Sequence, residues 1–242
     1  MTDLLNFLLA KHGGAERWDG AKTVTATVNV HGVFWPYKGQ PDLLGVQTVT
    51  ADLTRQRITM GPFGEGQTLT FDNAQDLVTI TDAGGTVVDQ LSAPRASMAG
   101  YQLDTTWSPT QMGYFISYAT WTYLAEPYLF TLPGVETREL EPWQEDGETW
   151  RRLEVTFSDS IASHNRVQTY YFDSVTGLQR RMNYDVDVNG SAPVAHYTSE
   201  HQSFDGLIAP TRRRVLLRDE NNVADHSFAA ILLDVEAVEL HG

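Results

Sequence analysis

The sequence predicts a mainly β protein, α+β by content, in the form of a single large curled antiparallel sheet of about eleven strands. The clearest evidence is a period of two over residues 178–188, where Met182 and Tyr184 alternate with Asn183 and Asp185. Asn-Gly and Asp-Gly pairs suited to tight turns divide the chain at short intervals. Helical patterns occur only at the start and in the middle. Because so long a sheet tends to curl, its concave face must be filled by side chains, a helix or a ligand.

The predicted strands form two series separated by the central helix, and the first series opens with a long half-buried strand from Thr23. Further strands are predicted at 44–52, 57–60, 67–71, 76–81 and 86–91, and then at 149–157, 167–172, 178–188, 194–204, 208–217 and 227–238. The segment 136–148 is acidic and contains Pro142 and Gly147, so we expect a surface connection there. No linker or repeat interrupts the pattern, which indicates one domain over residues 1–242.

An N-terminal helix is predicted over residues 2–12. Leucines recur there with the spacing i, i+1, i+4, i+5, which is typical of a short amphipathic helix, and Gly13 and Gly14 end it. The helix is expected to pack its leucine face on the rest of the protein.

The central helix is predicted over about 109–126. Ser108 is suited to the N-cap with Pro109 at the first helical position, and Pro127 ends the helix near Glu126. Its apolar residues surround the helix axis instead of forming one stripe, so the helix is either sandwiched on two sides or roofs an apolar cavity. It is short for a membrane span, and the chain is otherwise polar, so stable membrane insertion is not expected.

The charge balance excludes several classes of partner. The chain has 31 acidic and 17 basic residues, a formal net charge of -14, which repels nucleic acid and anionic membrane surfaces. Arg212, Arg213 and Arg214 lie in a predicted strand, where alternation sends Arg213 to the face opposite its neighbours; we interpret them as solvated or ion-paired.

No cysteine is present, which excludes disulfides, thiolate metal sites and a cysteine nucleophile. Residues 1–14 lack the basic start and the cleavage site of a signal peptide. As written, the chain is expected in the cytoplasm; had a leader been removed, the location would be periplasmic or extracytoplasmic.

Two hairpin motifs carry a resemblance to a known family. The stretches 170–178, YYFDSVTGL, and 204–210, FDGLIAP, together with the junction from His12 to Trp18, resemble those of the outer-membrane lipoprotein carriers, the LolA-like superfamily. The resemblance implies a half-barrel of antiparallel strands around a hydrophobic cavity, closed by helices, in which carriers hold acyl chains. The chain would be a divergent member, because it has no apparent leader, is longer than the small carriers and has an unusually aromatic lid helix.

The seven histidines show no short metal-ligand spacing, so no metal and no cofactor are predicted. His196 shares a predicted face with Val194, and His31 shares one with Val33 and Trp35. Each histidine is then either a polar group inside the cavity, which orients a ligand or acts as a general base, or a strand histidine with a backbone partner.

The aromatic residues of the central helix are the candidate roof of the cavity. They are Phe115, Tyr118, Trp121 and Tyr123. Core packing and cavity lining are both compatible with the sequence. The hydroxyl of Tyr118 and the indole N–H of Trp121 need hydrogen-bond partners when they are buried, and a cavity that holds water or an amphipathic ligand would supply them.

The leading hypothesis is a protein that binds or carries an apolar small molecule or lipid without transforming it. The predicted ligand-binding residues are Phe115, Tyr118, Trp121, Tyr123, Trp35, His31 and His196. The alternative is a cofactor-independent enzyme on a hydrophobic substrate, with His196, His164 or His31 as general acid or base. A third possibility is a protein-interaction domain that uses exposed sheet edges. The oligomeric state is left open.

Overall fold

The computed structural model describes residues 2–242 and contains one antiparallel sheet of 13 strands. The strands are β1 (Thr23–His31), β2 (Val46–Asp52), β3 (Arg57–Phe63), β4 (Gln67–Asp72), β5 (Leu77–Thr81), β6 (Val87–Ser92), β7 (Glu136–Glu145), β8 (Glu148–Thr156), β9 (Val167–Asp173), β10 (Gln179–Val186), β11 (Ala192–Phe204), β12 (Leu207–Leu217) and β13 (Ile231–His241). The helices are α1 (Asp3–Lys11), α2 (Ala15–Asp19), α3 (Phe34–Tyr37), α4 (Pro94–Ser97) and α5 (Pro109–Ala125).

The sheet consists of two meanders joined at its centre. Its order is β6-β5-β4-β3-β2-β1-β13-β12-β11-β10-β9-β8-β7, so β1 pairs with β13 and joins the two series. The two edge strands, β6 and β7, do not pair with each other, and the sheet is therefore open and not a closed barrel. The predicted fold class is confirmed.

One strand was missed because its sequence is that of an edge strand. The expected surface connection at 136–148 is wrong, since β7 pairs with β8 along that segment. Charged side chains cover β7 and form cross-strand ion pairs such as Arg138 with Glu154, which hides the usual apolar alternation. Pro142 lies where the register shifts between Leu140 and Trp143, and edge irregularities of this kind accept a residue without an N–H group.

The alternation seen in the sequence sets the two faces of the sheet. In β1, Val24, Ala26, Val28 and Val30 are buried while the residues between them are partly exposed. We call the buried side the inner face. Helix α1 buries its four predicted leucines, and the Thr2 hydroxyl caps it by accepting from the Leu5 N–H at 3.2 Å.

Helix α5 covers the inner face. A capping box between Ser108 and Gln111 starts it, as the Ser108 hydroxyl accepts from the Gln111 N–H at 3.2 Å and the Gln111 side chain accepts from the Ser108 N–H at 3.0 Å. Of its 17 residues, 14 are buried, and it packs on β3 to β6 and on α4. The helix is thus enclosed on nearly every side, and most of its aromatic residues belong to a continuous core.

Candidate functional site

An apolar cavity of about 260 Å³ lies at one end of the inner face. It is built where β10 and β12 end and where β11 and β13 begin, with α3 above it and one residue of α5 at its back. The lining residues are Val33, Phe34, Tyr37, Leu103, Phe115, Tyr184, Val186, Asn189, Ala192, Val194, Val215, Leu216, Leu217, Phe228, Ala230 and Ile231. None of these has a charged side chain, so the cavity favours an apolar occupant.

The cavity reaches the protein surface through an apolar rim. Four lining side chains are exposed, namely Val33 at 59%, Tyr37 at 52%, Leu103 at 41% and Phe228 at 49%. Single exposed hydrophobic residues are ordinary, whereas several around one opening are typical of a binding site. Phe115 lies at the buried end of the same cavity.

A close backbone approach fixes the wall formed by α3. Gly32 has φ +125°, and a Cβ there would lie 2.5 Å from the Ala230 carbonyl oxygen. The Phe34 N–H donates to that same oxygen at 3.0 Å. The turn from β1 into α3 therefore packs directly on the segment before β13, which places Phe34 and Tyr37 over the cavity.

A buried lysine fixes the opposite part of the rim. The Nζ of Lys38 donates to the carbonyl oxygens of Leu103 at 2.6 Å and Thr105 at 2.9 Å, and it lies 4.8 Å from the centroid of the Trp107 ring. Burial lowers the pKa of Lys38 to about 8, while the charge of Asp104 acts in the opposite direction. The lysine thus anchors the segment that carries Leu103 next to α3.

Four buried side chains and the partly buried Tyr123 form a polar network behind the cavity; we call Tyr118, Tyr123, His164, Tyr184 and His196 the tyrosine-histidine network. His164 Nδ1 lies 3.2 Å from the Tyr118 hydroxyl, and its Nε2 lies 2.8 Å from the Tyr123 hydroxyl. The Tyr184 hydroxyl lies 3.4 Å from that of Tyr123 and 3.3 Å from His196 Nδ1. The rings of His164 and Tyr184 stack with centroids 3.9 Å apart. Tyr184 is the member that also lines the cavity.

Burial sets the protonation state of the two histidines in the network. Desolvation, with a smaller contribution from Arg95, lowers the pKa of His164 to about 3. Desolvation also lowers the pKa of His196 well below its usual value, with a contribution from Arg213. Both imidazoles are therefore neutral at neutral pH. In neutral His164 one ring nitrogen donates a hydrogen bond and the other accepts one. The hydroxyl groups of Tyr118 and Tyr123 therefore engage both nitrogens.

A buried ion pair lies at the end of α5. Arg213 of β12 donates through Nη2 to Glu126 Oε2 at 3.1 Å and to the Tyr123 carbonyl oxygen at 3.3 Å, and its side chain and that of Glu126 are 2% and 4% exposed. The guanidinium lies 4.5 Å from the centroid of the Tyr123 ring. Burial raises the pKa of Glu126, and Arg213 opposes that change. Arg213 thereby satisfies a carbonyl group of the last helical turn.

Comparison with solved structures identifies the architecture. A LolA superfamily protein from Nitrosomonas europaea aligns with a TM-score of 0.53 and 13% identity over 98% of this chain and 93% of its own. This chain has a LolA-like fold. A DUF1329 family protein from Desulfovibrio piger has a TM-score of 0.47 and 11% identity over 99% of this chain and 94% of its own. A putative outer membrane lipoprotein-sorting protein domain from Vibrio parahaemolyticus has a TM-score of 0.47 and 8% identity over 94% and 90%.

No protein-family model matches the sequence, and neither does any curated protein. The likeness to the Nitrosomonas protein therefore establishes the fold alone. Within residues 2–242, no helix has both the length and the apolar character needed to cross a membrane. The same residues contain no group of three or more His, Asp or Glu side chains placed to hold a metal ion.

The LolA-like sheet separates the predicted site residues. Phe115 lines the cavity, whereas Tyr118, Tyr123 and His196 belong to the network, as does the candidate base His164. Trp121 donates to the Asp52 carbonyl oxygen at 2.8 Å, away from the cavity. Trp35 is buried beside Phe34 with ring centroids 5.2 Å apart, and it is not among the lining residues. The protein itself thus supplies hydrogen-bond partners for Tyr118 and Trp121.

The expected position of His31 in the cavity is wrong. Its side chain is 46% exposed, and its Nε2 lies 3.2 Å from Asp234 Oδ2. Both side chains lie on the face of the sheet that points away from the cavity. The reason is the strand period, because Val30 is buried on the inner face and the next residue of β1 must point away from it.

Most of the lining residues were not singled out from the sequence. Val194 and Val215 lie at apolar positions of β11 and β12, so the alternation does assign them to a buried face. That pattern does not distinguish residues that pack closely from residues that border a cavity. Asn189 and Phe228 lie outside the strands of the structure; the predicted strand at 227–238 included Phe228, but β13 begins only at Ile231.

We predict that Arg213→Met lowers the free energy of unfolding by about 3 to 5 kcal/mol, because it leaves the Glu126 carboxylate buried without its partner. Adding Glu126→Gln should recover part of that loss. The control is Arg212→Met, at an arginine that is 47% exposed and pairs with Glu200 on the surface, for which less than about 1 kcal/mol is expected. Urea unfolding of the four proteins measures these values, and equal losses at the two arginines would contradict the assignment.

A second prediction concerns acid stability. Because the pKa of His164 is lower in the folded protein than in the unfolded chain, the unfolded chain binds more protons below about pH 6.5, and stability falls as the pH falls. His164→Gln removes this contribution. Between about pH 7 and pH 5.5, the variant should lose about 1 kcal/mol less stability than the parent. Urea unfolding at the two pH values tests this, and parallel losses in both proteins would show that His164 does not titrate as described.

Proposed function

We propose that this protein binds an apolar small molecule or lipid in the cavity between α3, Phe115 and strands β10 to β13. The observation that carries the proposal is an uncharged cavity that extends from an exposed apolar rim to the buried core. The LolA-like fold supports it, because carriers with that fold hold acyl chains in a cavity on the same kind of sheet. The proposed site lies beside the central helix and uses only Phe115 of the predicted roof.

The volume limits the size of the occupant. At about 260 Å³ the cavity lies just below the roughly 300 to 1,000 Å³ of pockets that take drug-sized ligands. One acyl chain or one small ring system fits such a space more readily than a lipid with several chains. An occupant with a longer chain would extend past Val33 and Phe228 toward solvent.

The enzymatic alternative has less support from the geometry. His164 and His196 do converge with three tyrosines, which a general base mechanism would use. However, tyrosines engage both nitrogens of His164, and neither histidine lines the cavity. A pKa of about 3 also makes His164 a weak base at neutral pH. The network therefore favours a structural role over proton transfer to a bound molecule.

The proposal predicts saturable binding of N-phenyl-1-naphthylamine, an uncharged dye whose fluorescence rises in apolar surroundings. Ala192→Phe should weaken binding of the dye by about tenfold or more, because the larger side chain occupies the cavity. The control is Ala10→Phe, the same substitution at an exposed position of α1, which should bind the dye like the parent. Dye titration, with urea unfolding of each variant, makes the comparison.

Native mass spectrometry of the purified protein provides a second measurement, in which a co-purifying apolar molecule should be lost in Ala192→Phe. The proposal fails if the parent gives no saturable dye signal, or if Ala192→Phe binds the dye as tightly as Ala10→Phe.

A further inference from the structure

One aromatic side chain of α5 closes the buried end of the cavity. Phe115 is the residue that α5 contributes to the lining, and it is 3% exposed. Its ring centroid lies 5.8 Å from that of Phe34 and 5.4 Å from that of His164, whose ring stacks on Tyr184 at 3.9 Å. Because Phe34 and Tyr184 both line the cavity, the Phe115 ring occupies the space between two of its walls.

The rings on the other side of Phe115 lie outside the cavity. The ring centroids of Trp107 and Tyr118 are 5.1 Å and 5.6 Å from that of Phe115, and neither residue belongs to the lining. His164 does not line the cavity either. The Phe115 ring thus separates the cavity from the tyrosine-histidine network, and truncating it would extend the cavity into the space that the ring fills.

Fixed neighbours hold the Phe115 ring in place. The backbone N–H of Trp107 donates to the Lys38 carbonyl oxygen at 3.0 Å, and the Trp107 carbonyl oxygen accepts from the side chain of Gln40 at 2.6 Å. Trp107 is therefore tied to the segment that follows α3. A ring that is closely packed between such neighbours and the enclosed helix α5 cannot turn aside without losing its contacts. Phe115 is consequently a rigid end wall.

The chemistry of the buried end sets the direction in which an amphiphile would enter. The lining carries no charged side chain, and tyrosine hydroxyl groups already engage both nitrogens of His164. A polar head group at the buried end would lose its hydrogen bonds to water without compensation. The head group therefore stays at the rim, and the end of the alkyl chain points toward Phe115.

We infer that Phe115 sets the length of the alkyl chain that the cavity accepts, with the end of the chain against its ring. The inference rests on the proposed function and adds the residue that limits the ligands. Each methylene group that enters the cavity should raise the affinity about fourfold. Methylene groups beyond the available depth stay at the rim in contact with water and should add little.

The test is displacement of N-phenyl-1-naphthylamine by linear primary alcohols from hexan-1-ol to tetradecan-1-ol. In the parent, affinity should rise with chain length and then level off; we call the chain length at that point the length limit. In Phe115→Ala the affinity should continue to rise. An alcohol two carbons longer than the parent's limit should gain about tenfold over the limiting alcohol in this variant, and little in the parent.

Two further variants control for loss of packing. Phe115→Leu removes less of the core, so it covers the case in which Phe115→Ala does not fold, and its length limit should also exceed that of the parent. The control is Phe71→Leu, the same substitution at a buried phenylalanine of β4 that packs on Tyr114 at 5.2 Å and lies outside the lining. Its length limit should equal that of the parent. Urea unfolding measures the stability of each variant.

The outcomes separate this inference from the proposed function. The inference is overturned if every folded Phe115 variant keeps the length limit of the parent, or if Phe71→Leu moves the limit as far as Phe115→Leu does. It is also overturned if the affinity of the parent shows no limit through tetradecan-1-ol. In each case, dye binding that Ala192→Phe abolishes would leave the proposed function intact. If neither the dye nor any alcohol binds the parent, the proposed function fails and the inference fails with it.

Discussion

The buried ion pair between Arg213 and Glu126 fixes where the central helix lies on the sheet. An open sheet of 13 strands leaves its apolar inner face uncovered, and α5 covers it. Close apolar packing opposes a shift of the helix along the sheet, and the ion pair adds to that resistance. A shift would separate two charges that are almost inaccessible to water, and each would remain buried and unpaired. Packing and the pair together therefore set the helix position, on which the contacts of Tyr123 and Phe115 depend.

With the helix fixed, the inner face divides into a polar part and an apolar part. Behind Phe115, the tyrosine-histidine network pairs its hydroxyl groups, both nitrogens of His164 and Nδ1 of His196 within itself, while His196 Nε2 is buried without a partner among the described residues. In front of Phe115, the strand ends and α3 leave a space that no described side chain fills. Tyr184 belongs to both parts, since its ring borders the cavity while its hydroxyl bonds to the network. A change in the cavity that moves this ring would consequently alter its stacking on His164 and its hydrogen bond with His196.

Local signals in the sequence predicted most of the fold. Strand alternation, the leucine spacing of the first helix and the caps around Ser108 depend on neighbouring residues, and the structure has these elements near the predicted positions. The edge strand β7 was missed because charged residues replace its apolar face. For the site, Phe115 was found, whereas His31 was expected at the cavity and points away from it, and Asn189 was predicted only as a turn residue. Convergence of residues from distant strands depends on sheet order, which alternation does not encode. The assignment of one domain to residues 1–242 stays a prediction.

The central claim is that an apolar guest lies in front of Phe115 and not beneath the aromatic helix. Anomalous X-ray diffraction from crystals grown with 12-bromododecan-1-ol tests it most directly, because the bromine atom marks the chain. The account predicts one ordered bromine inside the lining of the cavity, in contact with residues such as Val194 or Val215. An ordered bromine beside Trp121, or one confined to the outer surface of the sheet, would contradict it.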